Sequence, residues 1–250
     1  MSSIDIREEA GVRTLHFGSE WIQGAMRIAR PWQLELDYTK EMMASLLMRE
    51  GARFPRHALL IGLGAASLTK FLYRYCPQTK ITVVEIDPQV VAAAQHFFKL
   101  PDDPKRLNIV VEDGVAFMSR TDKSYDLILV DGYDADALAG ALDTLPFYQM
   151  CRAHLTDAGI MAANIFGRRN SFKASYSRIN GAFEGRSIAF PSCDSGNVIA
   201  FATAGDAVQI TLEDLREQAL KLKERSGLNL LPTLSRLENA QRCKGGIMKF

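Results

Sequence analysis

The stretch His57-Ala-Leu-Leu-Ile-Gly-Leu-Gly-Ala-Ala-Ser67, completed by Val83-Val-Glu-Ile-Asp87, constrains the fold of this chain more than any other. Ala58 to Ile61 is a short apolar run of the kind that makes a strand buried on both faces of a parallel sheet. Gly62 and Gly64 follow, where the backbone must turn with no side chain in the way. Ala65, Ala66 and Ser67 then open a helical pattern through Leu68, Phe71, Leu72 and Tyr75 that stops near Pro77. Ile81 to Val84 is a second buried strand and ends on Glu85. Strand, glycine turn, helix, strand and acid make up the nucleotide-binding half of a doubly wound sheet. A glycine turn serving packing alone would need no acid. Glu85 at the strand end points to a nucleoside, whose two ribose hydroxyls a carboxylate accepts. The third glycine of the dinucleotide fingerprint is absent, and Ser67 stands in its place.

From His57 onward strands and helices alternate strictly. A helix over 88–98 precedes a strand over 107–111, then Asp113-Gly114 and a short helix over 116–119. A strand over 125–131 ends on Asp131. A helix over 146–154, a strand over 159–165 and a helix over 171–183 follow, and strands over 187–190 and 198–202 close the series. This order predicts a doubly wound, mostly parallel seven-stranded sheet with right-handed crossovers. The last two strands have no helix between them, so one is expected to run antiparallel.

The flanks are read separately. Residues 3–30 read as two or three antiparallel strands, too few for an independent core. They are expected to pack on the main domain or on a second subunit, which predicts a homodimer. The division expected is a β flap over 1–38 and a nucleoside-binding domain over 39–250. Residues 39–50 predict a helix capped by Thr39 and stopped by Gly51. A helix over 212–223 has Thr211 as its N-cap and Glu213 and Asp214 at its positive end. The tail over 227–250 is expected as a peripheral helix and a frayed end.

Hydrophobic content of 47% and a formal net charge of +1 describe an ordinary globular chain with no advertised nucleic-acid surface. No apolar run reaches the ~18 residues that span a bilayer, and the acidic, polar N-terminus, without an apolar signal core, leads us to expect no signal peptide. Cys76, Cys151, Cys193 and Cys243 lack metal-ligand spacing, so no metal is expected and a cytoplasmic, reduced state is. His16, His57, His96 and His154 form no local pair and are read as structural.

Four strand ends carry Gly62 and Gly64, Glu85, Asp113 with Gly114, and Asp131, and all of them should face one crevice. A dinucleotide dehydrogenase has no need of the third and fourth acids. An adenosyl sulfonium site uses all four: glycines beside the sugar, Glu85 on the ribose, Asp113 toward the adenine amino group, Asp131 beyond. The sulfonium is a cation without phosphate, so carboxylates suit it. The bland alternatives are that Asp131 caps a turn, that Asp134 and Asp136 are solvated loop residues, and that Arg168-Arg169 is a surface pair. Arg168-Arg169 would otherwise meet a donor carboxylate. Tyr133 either lines an acceptor pocket or covers the crevice.

Over about Trp21 to Ala202 the chain resembles the spermidine synthase (polyamine aminopropyltransferase) family, built on the Rossmann-like S-adenosylmethionine-dependent methyltransferase fold. The resemblance is carried by Ile22-Gln23, Leu59-Leu-Ile-Gly-Leu-Gly64, Val83 to Val90, Glu112-Asp-Gly114, Tyr125 to Asp134, Pro146-Phe-Tyr148 and Phe190-Pro-Ser192. It implies that Gln23 and Glu85 hold the ribose and Asp113 the adenine. Asp131 would sit by the reacting centre, Asp134 would bind a polyamine acceptor, and Tyr38 would contact the reacting amine. It implies transfer of an aminopropyl group from decarboxylated S-adenosylmethionine to a small amine. Two departures stand out. Ala65 replaces the family's aspartate for the donor's terminal amine, and Phe190 replaces a tyrosine. Ala65 would tolerate the carboxylate of S-adenosylmethionine itself, which keeps a methyltransferase open beside the aminopropyltransferase. A non-catalytic nucleoside-binding homologue is the third reading.

Overall fold

The structure, a computed structural model, describes residues 4–49, 54–134, 138–166, 169–191, 196–205 and 207–250, without the side chains of Arg169 and Asn170. The chain opens with β1 (Ile4–Glu9), β2 (Val12–Phe17) and β3 (Gly24–Arg27), an antiparallel meander. Next come α1 (Asp37–Met42) and a 3₁₀ turn over Met43–Leu47. The alternating part then runs β4 (His57–Ile61), α2 (Ser67–Tyr75), β5 (Lys80–Glu85), α3 (Pro88–Phe97), β6 (Leu107–Val111), α4 (Gly114–Arg120), β7 (Tyr125–Val130), α5 (Leu145–Ala153), β8 (Leu155–Phe166), α6 (Arg169–Ala182), β9 (Ser187–Ala189) and β10 (Asn197–Thr203). The chain ends through β11 (Gln209–Thr211), α7 (Leu212–Ser226), α8 (Leu231–Asn239) and β12 (Ile247–Lys249).

The main sheet has seven strands in the order β6-β5-β4-β7-β8-β10-β9, and β10 alone runs against the others. The order reverses between β4 and β7, which opens a crevice at their carboxyl ends. Alternate residues of β4 point to opposite layers. Ala58 and Leu60 join Phe71 of α2, Ala94 of α3, Leu215 of α7 and Leu234 of α8. Leu59 and Ile61 join Phe117 of α4, Phe147 of α5 and Ile179 of α6. Helices thus cover both faces, as the near-continuous apolar strands require.

The meander shares the first of these cores. Leu15 and Met26 are fully buried there, and the Ser67 hydroxyl donates to the Ala25 carbonyl at 3.0 Å. Its apolar face is therefore covered within the chain, so the need for a second subunit to cover it does not arise. The cap readings divide. Thr211 does cap α7, accepting from the Asp214 N–H at 3.0 Å. Thr39 does not cap α1: Leu36 is the extended cap residue, and the Thr39 hydroxyl, inside the first turn, donates to the Leu36 carbonyl. Gly51, the expected stop, lies outside the described residues, and the regular helix already ends at Met42. The tail is not frayed. β12 pairs with β11 and buries Met248 and Phe250, with Val208 and Phe250 exchanging both backbone hydrogen bonds. Among the described residues no helix is long and apolar enough to cross a membrane.

Candidate active site

One cavity of about 760 Å³ opens over the crevice, and every site residue read from the sequence lines it. Its floor is the glycine turn. Gly62 has φ +100°, and a Cβ there would lie 2.3 Å from the Asp131 carbonyl oxygen, so only glycine fits. Gly64 has φ +51° and faces the Gln23 carbonyl. Beside the turn the Glu85 carboxylate accepts from the backbone N–H of Leu63 at 2.9 Å and of Asp87 at 3.0 Å. Both oxygens are thereby fixed, with their remaining lone pairs available to hydroxyl donors. Burial raises the Glu85 pKa, and these backbone donors oppose the rise.

Asp113 caps α4, accepting from the Ala116 N–H at 2.9 Å. Gly114, the next residue, packs against Ile61 so closely that a Cβ would meet it at 2.8 Å. Gln23 closes the opposite side from the loop before β3. Its side chain donates to the Asp134 carbonyl at 3.3 Å, joining the meander to the loop after β7. The carboxylate of Asp134 accepts from the Leu138 N–H at 2.9 Å, so it orders its own loop while facing the cavity.

Asp131 follows β7 directly. One carboxylate oxygen accepts from the Tyr38 hydroxyl at 3.2 Å, the other from the Asn164 amide at 2.8 Å. Burial pushes its pKa up to about 6, against the pull of these two donors. Burial, followed by the charge of Asp131, drives the Tyr38 phenol well above its ordinary range, so it stays a donor. Tyr133 lines the cavity with its ring. Its hydroxyl is engaged by the β8 backbone, donating to the Asn164 carbonyl at 2.6 Å and accepting from the Phe166 N–H at 2.9 Å.

Sequence reading missed Asn164 and Asn197, which stand side by side on β8 and β10 and extend the bonding from Asp131. No local signal marks them, since each adjoins an apolar run that reads only as a buried strand. It also missed Trp21, exposed at the rim and set edge-on to Phe166 at 5.5 Å. Asp136, Arg168, Ser192 and Cys193 lie outside the described residues, as does the Arg169 side chain. Phe190 is buried against Phe201, with centroids 4.5 Å apart, so its ring serves the core.

The electrostatics are one-sided. No described residue lining the cavity is Lys, Arg or His. Glu20, Glu35, Asp37 and Glu112 at its edges are paired with Arg7, Arg27, Lys40 and Arg120. Glu85, Asp113 and Asp131 take these hydrogen bonds from neutral donors, not from cationic side chains. No cluster of three metal-binding side chains is found among the described residues.

Comparison with known proteins gives the chain its family. The polyamine aminopropyltransferase of Chromobacterium violaceum is 35% identical over 246 residues, covering 98% of this chain and 93% of that protein. Among solved structures, a probable spermidine synthase from Corynebacterium glutamicum superposes with a TM-score of 0.72 at 18% identity, over 91% of this chain and 92% of that one. Human methyltransferase-like protein 13, in complex with SAH, gives 0.69 at 22% identity, over 77% of this chain and 93% of that one. These two establish the Rossmann-like methyltransferase fold. The spermine/spermidine synthase domain model matches residues 36–184, from α1 to the end of α6, and with the full-length relative it places the chain in the spermine/spermidine synthase family.

Proposed function

We propose that this protein is a polyamine aminopropyltransferase that moves an aminopropyl group from decarboxylated S-adenosylmethionine to a small amine. The observation that carries the reading is Asp131, a charge-bearing carboxylate held by Tyr38 and Asn164 in the same cavity as the glycine turn and Glu85. In this reading Gln23 and Glu85 hold the ribose, Asp113 the adenine, and Gly62, Gly64 and Gly114 give the nucleoside its close approach. Asp134 and Tyr133 line the acceptor's path.

The chemistry follows from charge. An alkyl amine has a pKa near ~10 and arrives as ammonium, without a lone pair to attack. Asp131 binds it and takes a proton, with the Tyr38 hydroxyl keeping the carboxylate in place. The freed nitrogen attacks the carbon next to sulfur, the C–S bond breaks, and its electron pair stays on sulfur as a neutral thioether. The positive charge passes to the new secondary amine, so no anion has to be stabilised.

The donor assignment rests on the lining. A donor ending in an amine meets carboxylates, whereas the carboxylate of S-adenosylmethionine meets no cation among the described lining residues. One observation favours methyl transfer as the second reading: Ala65, where the family has an aspartate, offers no charge to a terminal amine. Offering each donor with 1,4-diaminobutane separates the two readings. Asp131→Asn should lower transfer by ~10² to 10⁴ while methylthioadenosine binds nearly as to the wild type, measured by calorimetry. Rapid transfer by the variant would remove Asp131 from its role, and wild-type silence across an amine panel would favour a non-catalytic homologue. For assembly we favour a homodimer joined through the open β1 edge, where Ile4 and Ile6 are only partly buried against the core; a monomer by light scattering would exclude it. The free thiols of Cys76 and Cys151 suit the cytoplasm.

A further inference from the structure

Asn164 has an amide whose two ends are opposite in hydrogen-bonding character, and only one end suits Asp131. Its N–H reaches one carboxylate oxygen at 2.8 Å, while its carbonyl oxygen accepts from the Asn197 side-chain N–H at 2.9 Å. Both asparagines are buried, at 8% and 7% exposure. They face the same side of the sheet as diagonal neighbours, since Asn164 lies opposite Ile199 and Phe166 opposite Asn197. The Asn164 backbone is also held, because its carbonyl accepts from the Tyr133 hydroxyl.

We propose that Asn197 is a positioning residue for the transfer: by donating to the Asn164 carbonyl oxygen it turns the Asn164 N–H toward Asp131, and so holds Asp131 as an acceptor ready for an ammonium. The inference rests on the reading of Asp131 as the amine-binding carboxylate. Without the Asn197 donor, the buried Asn164 oxygen loses its partner, an arrangement that buried polar groups avoid. A hydrogen-bond donor within its reach among the described residues is then the Asp131 carboxyl in its protonated form. Asn164 turns over and stabilises the acid instead of the carboxylate. Two side chains donate to Asp131, Asn164 and Tyr38, and the Tyr38 hydroxyl of α1 serves the second oxygen in either case. The Tyr133 hydroxyl is engaged by β8, and the carboxylates Glu85, Asp113 and Asp134 line the other walls of the cavity.

The test reads the Asp131 carboxyl directly, by carbon-13 NMR titration of the ligand-free full chain, its signal assigned by its loss in Asp131→Asn. Asn197→Leu should move the Asp131 midpoint upward by about half a pH unit or more, the scale of one weakened hydrogen bond to a charged group. Asn164→Leu should move it upward as well, and adding Asn197→Leu to it should change nothing further, because one residue acts through the other. With decarboxylated S-adenosylmethionine and 1,4-diaminobutane, the acid limb of kcat should move to higher pH in Asn197→Leu, with KM for the donor unchanged. Asn197→Val, suited to a strand, serves if leucine disturbs folding. A midpoint within about 0.2 of the wild type, or an Asn197 effect that persists in full without Asn164, overturns the proposal. A midpoint that shifts as expected in Asn197→Leu, when the wild-type chain transfers nothing, supports the hold of Asn197 on Asp131 through Asn164 and counts against the aminopropyl reading alone.

Discussion

At the scale of single residues, the site trades stability for charge. Asp131 has an ordinary pKa of 3.8 and is pushed up to about 6 by burial in the fold. A carboxyl whose pKa is raised on folding favours the folded state below about 3.8, and that contribution is lost as pH rises to about 6. Above this range ionised Asp131 holds the ligand-free protein down, although ionised Asp131 is the form that receives an ammonium. Asp131→Asn should therefore melt higher than the wild type at pH 8, by roughly 1–2 kcal/mol of unfolding free energy, and match it near pH 4. Thermal denaturation at the two pH values measures this; a variant less stable at pH 8 would show that the carboxylate's hydrogen bonds outweigh its burial. This environment also shows what a sequence withholds. Asp131, Glu85 and Asp113 are legible because strand ends are legible and ligands gather there. Asn164 is not, because it stands in Ile160-Met-Ala-Ala-Asn-Ile165, a run whose period announces only a buried strand. Its partner Asn197 is 33 residues away, and nothing local joins them.

At the scale of elements, the decisive contact is between the meander and the glycine turn. Gly24, the first residue of β3, lies against Ala65, and a Cβ there would stand 2.6 Å from the Ala65 Cβ and 2.7 Å from its backbone nitrogen. Neither is the far end of a flexible side chain, so something in the backbone has to move. Gly24→Ala should cost about 1–3 kcal/mol of stability, as overpacking does, and should weaken methylthioadenosine binding because the displaced turn carries Gly62 and Gly64. Urea unfolding together with calorimetry tests both parts. Unchanged affinity would mean that β3 yields and the turn does not. The elements themselves were mostly readable: β4 to β7 fall within a residue or two of the apolar runs, and the Pro88 and Thr211 starts follow from their capping chemistry. What escaped reading depends on distant partners. β12 exists because β11, nearly forty residues earlier, gives it an edge to pair with. Thr39 is a good capping residue by type, but the extended residue that begins α1 is Leu36. The expectation that a second subunit must cover the meander treated it as a sheet without a core, whereas Leu15 and Met26 show that it has one; the proposed dimer rests on the β1 edge instead.

At the scale of the whole molecule, the cavity is where distant parts of the chain converge. The meander supplies Gln23, α1 supplies Tyr38, the parallel strand ends supply Glu85 and Asp131, and β8 and β10 supply the two asparagines. A ligand that touches all of these binds only the assembled state, so its binding energy adds to the stability of the fold as a unit. Methylthioadenosine, the neutral product of the proposed reaction, lacks the sulfonium charge and isolates the nucleoside contribution. At a hundred times its dissociation constant it should add about 2.7 kcal/mol, which for a chain of this size raises Tm by roughly 5–10 °C. The gain should appear in hydrogen exchange at two separated places together. One is the Gln23 N–H, bonded to the Leu15 carbonyl in the meander; the other is the Gly62 N–H, bonded to the Val84 carbonyl in the sheet. Protection at Gly62 alone would place the nucleoside on the glycine turn without the meander, and would remove Gln23 from the ribose site. An unchanged Tm at saturating ligand would remove the nucleoside site itself.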